Sequence, residues 1–256
     1  MEVFLNPDAW VALLTLTFLE IVLGIDNIIF ISIVTGKLPE EQRKKATQIG
    51  LFLAMFMRIA LLFGITLLIA MKSPLFSFDF GWFSAEITGQ ALILLLGGLF
   101  LIYKSTREIS DKVDHKGEEE KTLKTAAVKS FGNVIVQILM IDLIFSVDSI
   151  LTAVGMTNGV HGALYIMVTA VVISVGVMML FAVPVGNFVN ANPSIQILGL
   201  AFLILIGFML ITESMHLSNA ELAGQTVGVV PKGYLYFAIA FSLAVEFINM
   251  KIRKSK

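Results

Sequence analysis

Two apolar segments of the chain carry acidic side chains at the same spacing. The first, EIVLGIDNIIF, contains Glu20 and Asp26, and the second, DLIFSVDSIL, contains Asp142 and Asp148. With the polar residues that follow them, these acids give one set of candidate metal ligands: Glu20, Asp26, Asn27, Asp142, Asp148 and Ser149. Carboxylate, amide and hydroxyl oxygens are hard ligands that suit Mn²⁺, Mg²⁺ or Ca²⁺. The chain has no cysteine, so thiolate metal sites are excluded.

The charge balance of these segments favours a bound cation. A charged residue at the centre of a membrane helix costs about 2.5–3.5 kcal/mol on insertion scales. Arg58, inside LFLAMFMRIALLFGITLL, is the basic residue available at similar depth. Four acids against one arginine leave three negative charges (4 − 1 = 3), which must be protonated, face water or hold a cation. The structural alternative is an intramembrane ion pair through Arg58 that locks helices together.

The six-residue spacing decides whether one ion can meet both acids of a segment. In a regular helix, positions six apart differ by about 240° around the axis and about 9 Å along it. Glu20 and Asp26 would then face different directions, as would the acids of the second segment. Either the acids serve two sites, or the helices are interrupted near Gly24 and Ser146. We favour interruption, because glycine weakens a helix interior and serine diverts backbone hydrogen bonds.

Long apolar runs must position these residues. The 256-residue chain is 57% hydrophobic and 14% charged, whereas a soluble domain carries about a quarter charged residues. Runs of about 18 or more apolar residues predict membrane-spanning helices. We predict an all-α polytopic membrane protein with spans at 10–35, 47–71, 86–104, 129–154, 162–183, 195–213 and 233–250. No basic residue precedes the first span, which we expect to be retained rather than cleaved as a signal peptide.

The distribution of lysine and arginine predicts the orientation in the cell membrane. These residues are concentrated in the loops after the first and third spans and in the tail KIRKSK, whereas the alternate loops hold few. The positive-inside rule then places the amino terminus outside and the carboxyl terminus in the cytoplasm. The net charge of −1 gives no indication of nucleic-acid binding.

The two halves of the chain look alike. Aligning EIVLGIDN with DLIFSVDS places an acid on an acid twice, and Gly98 before Lys104 matches Gly207 before Glu213 (104 − 98 = 213 − 207 = 6). Because each half has three spans, the halves cross the membrane in opposite senses, which is a common transporter plan. Within a single transmembrane domain, 1–256, we predict a first repeat at 10–104, a charged cytoplasmic linker at 105–128, a second repeat at 129–213 and a seventh helix at 233–250.

Several stretches resemble the TerC family of integral membrane proteins. They are EIVLGIDN, SVDS, the intramembrane Arg58, GGLFLIYK and the late segment PKGYLYFAIAFSLAVEFINM. The resemblance covers nearly the whole chain and implies a fold related to LysE-type exporters. It also implies efflux of Mn²⁺ and, in some members, supply of metal to exported proteins. On this resemblance, the six candidate ligands become the metal site.

The residues and the resemblance together predict a membrane transporter rather than an enzyme. The expected cargo is a divalent metal ion, with manganese preferred, held at a midplane carboxylate site. No GxxxxGK[ST] motif for ATP is present, so an ion gradient must supply the energy, and the charge count favours proton antiport. Lys104, Glu213 and Glu246 are further candidates along the ion pathway.

Other functions stay open at this point. The protein could bind metal and deliver it to the secretion machinery or to exported metalloproteins without net transport, or it could export another solute. An intramembrane aspartyl protease is disfavoured, because it needs YD and GxGD contexts where this chain has GIDN and SVDS. A zinc metalloprotease is disfavoured because HExxH is absent.

Overall fold

The chain folds into long helices that match the predicted spans in number. The structure, a computed structural model, describes residues 7–64, 72–114, 130–157, 160 and 162–254. The helices are α1 (Pro7–Thr35), α2 (Glu40–Phe63), α3 (Gly89–Asp114), α4 (Phe131–Met156), α5 (Ala163–Ala191), α6 (Pro193–Leu217) and α7 (Lys232–Lys254). Among the described residues, seven helices are long and apolar enough to cross a membrane. This confirms the prediction of a polytopic helical membrane protein.

Several helices run beyond the apolar spans that predicted them. Helix α2 begins at Glu40 rather than 47, and α5 continues through Pro184 to Ala191. Helix α3 continues past 104 to Asp114, so the predicted linker at 105–128 begins as helix, and its remainder lies outside the described residues. The helix propensity of Glu, Lys and Arg accounts for the extensions of α2 and α3, because it allows a helix to continue where hydropathy ends. The extension of α5, PVGNFVNA, contains none of these residues.

One compact unit contains α1, α2, α4 and α5, which places the two acidic helices together. Within it, α1 packs on α5 and α4, and α2 packs on α4 and α5. Its buried core is aliphatic, with Ile138 and Ile141 from α4 and Ile166 from α5 almost inaccessible to solvent. This unit holds the polar cluster described below.

The second compact unit contains α3, α6, α7 and a small sheet. Helices α3 and α6 meet where Gly98 and Gly207 face each other, so closely that a Cβ on Gly98 would lie 2.5 Å from the Gly207 carbonyl oxygen. The reverse distance, from a Cβ on Gly207 to the Gly98 carbonyl oxygen, would be 2.8 Å. Glycine is required at both positions because two helix backbones touch there.

The sheet was not predicted from the sequence. Its four strands, β1 (Pro74–Asp79), β2 (Phe83–Thr88), β3 (Glu221–Leu222) and β4 (Gln225–Thr226), pair antiparallel in the order β1-β2-β3-β4. The alternation in LFSFDF is the period-two signal of a strand. Gly81, at a φ of 78°, lies in the turn between β1 and β2. The strands lie between the predicted spans, except that residues 86–88 of β2 fall inside the span predicted at 86–104, so that span begins at Gly89 rather than at 86.

Candidate intramembrane ion site

Arg58 is the centre of a buried polar cluster in the first unit. It lies on α2 and is only 3% exposed. Its Nη1 donates to Glu20 Oε2 at 2.5 Å, and its Nη2 donates to Asp142 Oδ1 at 2.6 Å. Its Nε also donates to the two Asp142 oxygens, at 3.2 and 3.1 Å. One guanidinium therefore joins a carboxylate from α1 to a carboxylate from α4, a planar multidentate geometry that arginine favours.

Two neutral side chains complete the shell of Asp142. Ser146 Oγ donates to Asp142 Oδ2 at 3.1 Å, and Asn27 Nδ2 donates to Asp142 Oδ1 at 3.4 Å. Asn27 itself is buried, and its Oδ1 has no hydrogen-bond partner. In the reverse amide orientation, this oxygen would face a carboxylate oxygen, and two acceptors repel each other. The Asn27 amide is therefore assigned with Nδ2 toward Asp142. A buried acceptor left unsatisfied costs about 1–3 kcal/mol, which a cation or a water at that position would relieve.

The cluster brings together three of the six predicted ligands, namely Glu20, Asn27 and Asp142. Ser149 is buried, but its hydroxyl donates to the Ser146 carbonyl at 3.3 Å. Asp148 is partly exposed, unlike the buried Asp142 on the same helix. The side chain of Asp26 lies outside the described residues. Among the side chains that are described, no group of three or more acids or histidines converges closely enough to hold a metal ion.

The expected interruption of the acidic helices is wrong. Helix α1 runs unbroken from Pro7 to Thr35, and α4 from Phe131 to Met156. The glycine in the first segment serves packing, because a Cβ on Gly24 would overlap the Met178 sulfur on α5. The serine in the second segment bonds the Asp142 carboxylate instead of diverting a backbone group.

This packing role predicts a coupled pair of substitutions. We expect Gly24→Ala to destabilise the protein by about 1 kcal/mol, because overpacking forces the neighbour to move. Adding Met178→Ala to that variant should reduce the penalty, since the smaller side chain makes room. Thermal unfolding in detergent of both single variants and the double variant measures the coupling. Strictly additive effects on stability would show that the Gly24–Met178 contact does not explain the need for glycine.

Ser146 belongs to the cluster but was not among the predicted ligands. It follows Asp142 by four residues (146 − 142 = 4), which places both on one face of α4. That spacing was visible in the sequence, but the serine was interpreted only as a helix breaker. Beside the cluster, a small cavity of about 10 Å³ is lined by Glu20 and seven apolar side chains.

The three residues proposed for the ion pathway all lie in the second unit. Lys104, Glu213 and Glu246 are each partly exposed. Glu246 has one buried carboxylate oxygen, Oε1, without a hydrogen-bond partner. The structure places these residues on α3, α6 and α7 and does not test their role in transport.

Seven apolar helices and a buried cluster of arginine and carboxylates define a polytopic helical membrane protein with a charged site among its apolar helices. The family model described as "Integral membrane protein TerC family" matches residues 5–256. The chain therefore belongs to the TerC family of integral membrane proteins, which confirms the resemblance found in its motifs.

Named relatives match along nearly the whole chain. The UPF0053 inner membrane protein YgdQ of Escherichia coli K12 is 52% identical over 251 residues, which are 98% of this chain and 96% of that protein. A UPF0053 protein of Haemophilus influenzae is 46% identical over 249 residues, 97% of this chain and 96% of that protein. The UPF0053 protein YegH of Escherichia coli K12 is 43% identical over 249 residues, 97% of this chain but 43% of that longer protein. No solved structure matches the chain.

Proposed function

We propose that this protein exports divalent metal ions, with Mn²⁺ as the preferred cargo, through the cluster around Arg58. The observation that carries the proposal is the buried, unpartnered Asn27 Oδ1 beside Asp142. Together with the oxygens of Glu20, Asp142 and Ser146, it supplies a ligand set made only of hard oxygen atoms. Such a set suits Mn²⁺, Ca²⁺ or Mg²⁺ and not soft metals.

In this proposal Arg58 is the positive partner of the two carboxylates when no metal ion is bound. Two carboxylates and one guanidinium carry a net charge of −1 when all are ionised (−2 + 1 = −1). A divalent ion that binds both carboxylates neutralises them and weakens their hold on Arg58. The guanidinium would then leave at least one carboxylate. Ion binding and side-chain movement are thereby coupled.

The same charge count supports proton antiport. One bound proton would make the ion-free cluster neutral, since −1 + 1 = 0. Exchange of a metal ion for protons would therefore avoid leaving a net charge buried in the membrane, which is costly.

Alternating exposure of the site would use the predicted inverted repeat. The repeat equates α1 with α4, α2 with α5 and α3 with α6. In the first unit, the α1–α5 and α2–α4 contacts are then equivalent to each other. In the second unit, Gly98 with Ile102 on α3 and Gly207 with Ile211 on α6 make reciprocal contacts. Both patterns support a two-fold relation between the halves.

We place the chain in the cytoplasmic membrane with its amino terminus outside, as the lysine and arginine distribution indicates. The name of the Escherichia coli relative, an inner membrane protein, supports that membrane. In this orientation, the cargo would enter from the side that carries the basic loops and leave at the opposite side.

Flux into sealed vesicles tests the proposal. Purified protein reconstituted into liposomes should move Mn²⁺ down an imposed gradient, and Asp142→Asn should abolish most of that flux. Glu41→Gln, an exposed acid in the first turn of α2, is the matched control and should transport like the parent. An Asp142→Asn variant that transports at the parent rate would refute the site. Metal binding without flux in the parent would instead support delivery of metal to exported proteins.

A further inference from the structure

The small sheet of the second unit has two chemically different faces. Residues directly opposite each other on paired strands point to the same face. Ser77 is opposite Glu86, Asp79 is opposite Ser84, and Ser84 is opposite Glu221. One face therefore carries three carboxylates and two hydroxyl groups, all of which favour water.

The other face is apolar and partly exposed. It places Phe76 opposite Ile87, and Phe83 opposite Leu222. Phe76 and Leu222 are 54% and 52% exposed, and Trp82 in the adjoining turn is 66% exposed. The sheet thus presents aromatic and aliphatic surface on the side opposite its acids.

Ring contacts make the aromatic surface continuous. Phe78 lies 5.6 Å from Phe80 and 5.6 Å from Phe83, measured between ring centroids, and Trp82 lies 6.0 Å from Phe83. Phe80 is 68% exposed. Clustered exposed aromatic side chains mark an interaction surface rather than scattered surface residues.

The sheet is attached directly to two helices of membrane-spanning length. Strand β2 ends at Thr88 and α3 begins at Gly89, so no linker separates them. The Glu86 N–H donates to the carbonyl of Ser218, the residue after α6, at 2.7 Å. The sheet is therefore held at the ends of α3 and α6, where a membrane helix reaches the lipid–water boundary.

We propose that this sheet lies flat on the lipid surface, with its aromatic face in the interfacial region and its acidic face in water. Tryptophan and other aromatic side chains favour that region because they combine an apolar body with tolerance of polar headgroups. Segments 74–88 and 221–226 contain no lysine or arginine. The attraction is consequently apolar, requires no anionic lipid and resists salt. This surface role does not depend on the proposed transport function.

Trp82 provides a native reporter of the contact. The chain has two tryptophans, Trp10 and Trp82, so Trp10→Phe leaves Trp82 as the sole emitter. The full-length variant is reconstituted into phosphatidylcholine vesicles, and its emission is quenched by aqueous iodide or by phosphatidylcholine carrying a nitroxide headgroup or brominated chains. We expect blue-shifted emission, strong quenching by the labelled lipids and weak quenching by iodide.

The opposite face supplies the matched control. In a Trp10→Phe, Trp82→Phe background, Ser77→Trp places the reporter on the acidic face, and Glu86→Trp replaces it if that variant does not fold. Iodide should quench this reporter several-fold more strongly than Trp82. Equal iodide quenching at both positions would show that both faces of the sheet are exposed to water. Shielding of Trp82 from both iodide and labelled lipid would show that protein, such as a second copy, covers the face. Either result overturns the proposal.

Discussion

Replacing Arg58 by methionine is expected to destabilise the protein by about 3–5 kcal/mol, the usual cost of removing one partner from a buried ion pair. The guanidinium bonds two carboxylates at 2.5 and 2.6 Å, and all three residues are buried. Its loss leaves Glu20 and Asp142 close together without a counter-charge. The free energy of unfolding, measured by thermal or denaturant unfolding in detergent, should fall accordingly.

Removing the charges of the partners should reverse most of this loss. In the triple variant Arg58→Met, Glu20→Gln, Asp142→Asn no charge remains in the cluster, so the cost of an uncompensated buried charge is removed. Arg107→Met is the control, because that guanidinium is exposed and bonds Tyr103, and surface substitutions usually stay within about 0.5 kcal/mol. If the free energy of unfolding of Arg58→Met equals that of Arg107→Met, the ion pairs of Arg58 do not stabilise the protein.

The second large effect is expected at the contact between α3 and α6. Gly98→Ala should cost roughly 1–3 kcal/mol and Gly98→Val more, because overpacking a tight contact forces the backbone to shift. The new Cβ would meet a carbonyl oxygen of Gly207 at 2.5 Å and the Ile211 side chain at 2.8 Å. A backbone oxygen cannot move aside by changing rotamer. Unfolding in detergent and the amount of monodisperse protein after purification measure the effect.

Gly176→Ala is the matched control for this contact. It also lies inside a helix, but a Cβ there would meet nothing within 4 Å. Alanine should therefore be tolerated or stabilise the helix by up to about 1 kcal/mol through its higher propensity. Equal behaviour of Gly98→Ala and Gly176→Ala would mean that α3 and α6 do not approach as closely as described.

The sequence predicted the parts of this protein that depend on local composition. Apolar length determines the number of spans, and the cost of a buried charge marks Glu20, Asp142 and Arg58 as residues that need partners. It left open whether one arginine bonds one carboxylate or bridges two, because that depends on which helices pack together. The role of Gly24 against Met178 was missed for the same reason. The pairing of β2 with β3 was missed because the two strands belong to segments far apart in the chain.

The central claim is that the cluster around Arg58 binds the transported ion and is more than a structural ion pair. The direct measurement is Mn²⁺ flux in sealed proteoliposomes by the triple variant Arg58→Met, Glu20→Gln, Asp142→Asn, at matched protein content and with folding checked by thermal unfolding. We predict a folded protein without flux above that of protein-free vesicles. A folded triple variant that transports Mn²⁺ at the parent rate would contradict the account, because the cluster would then serve stability alone.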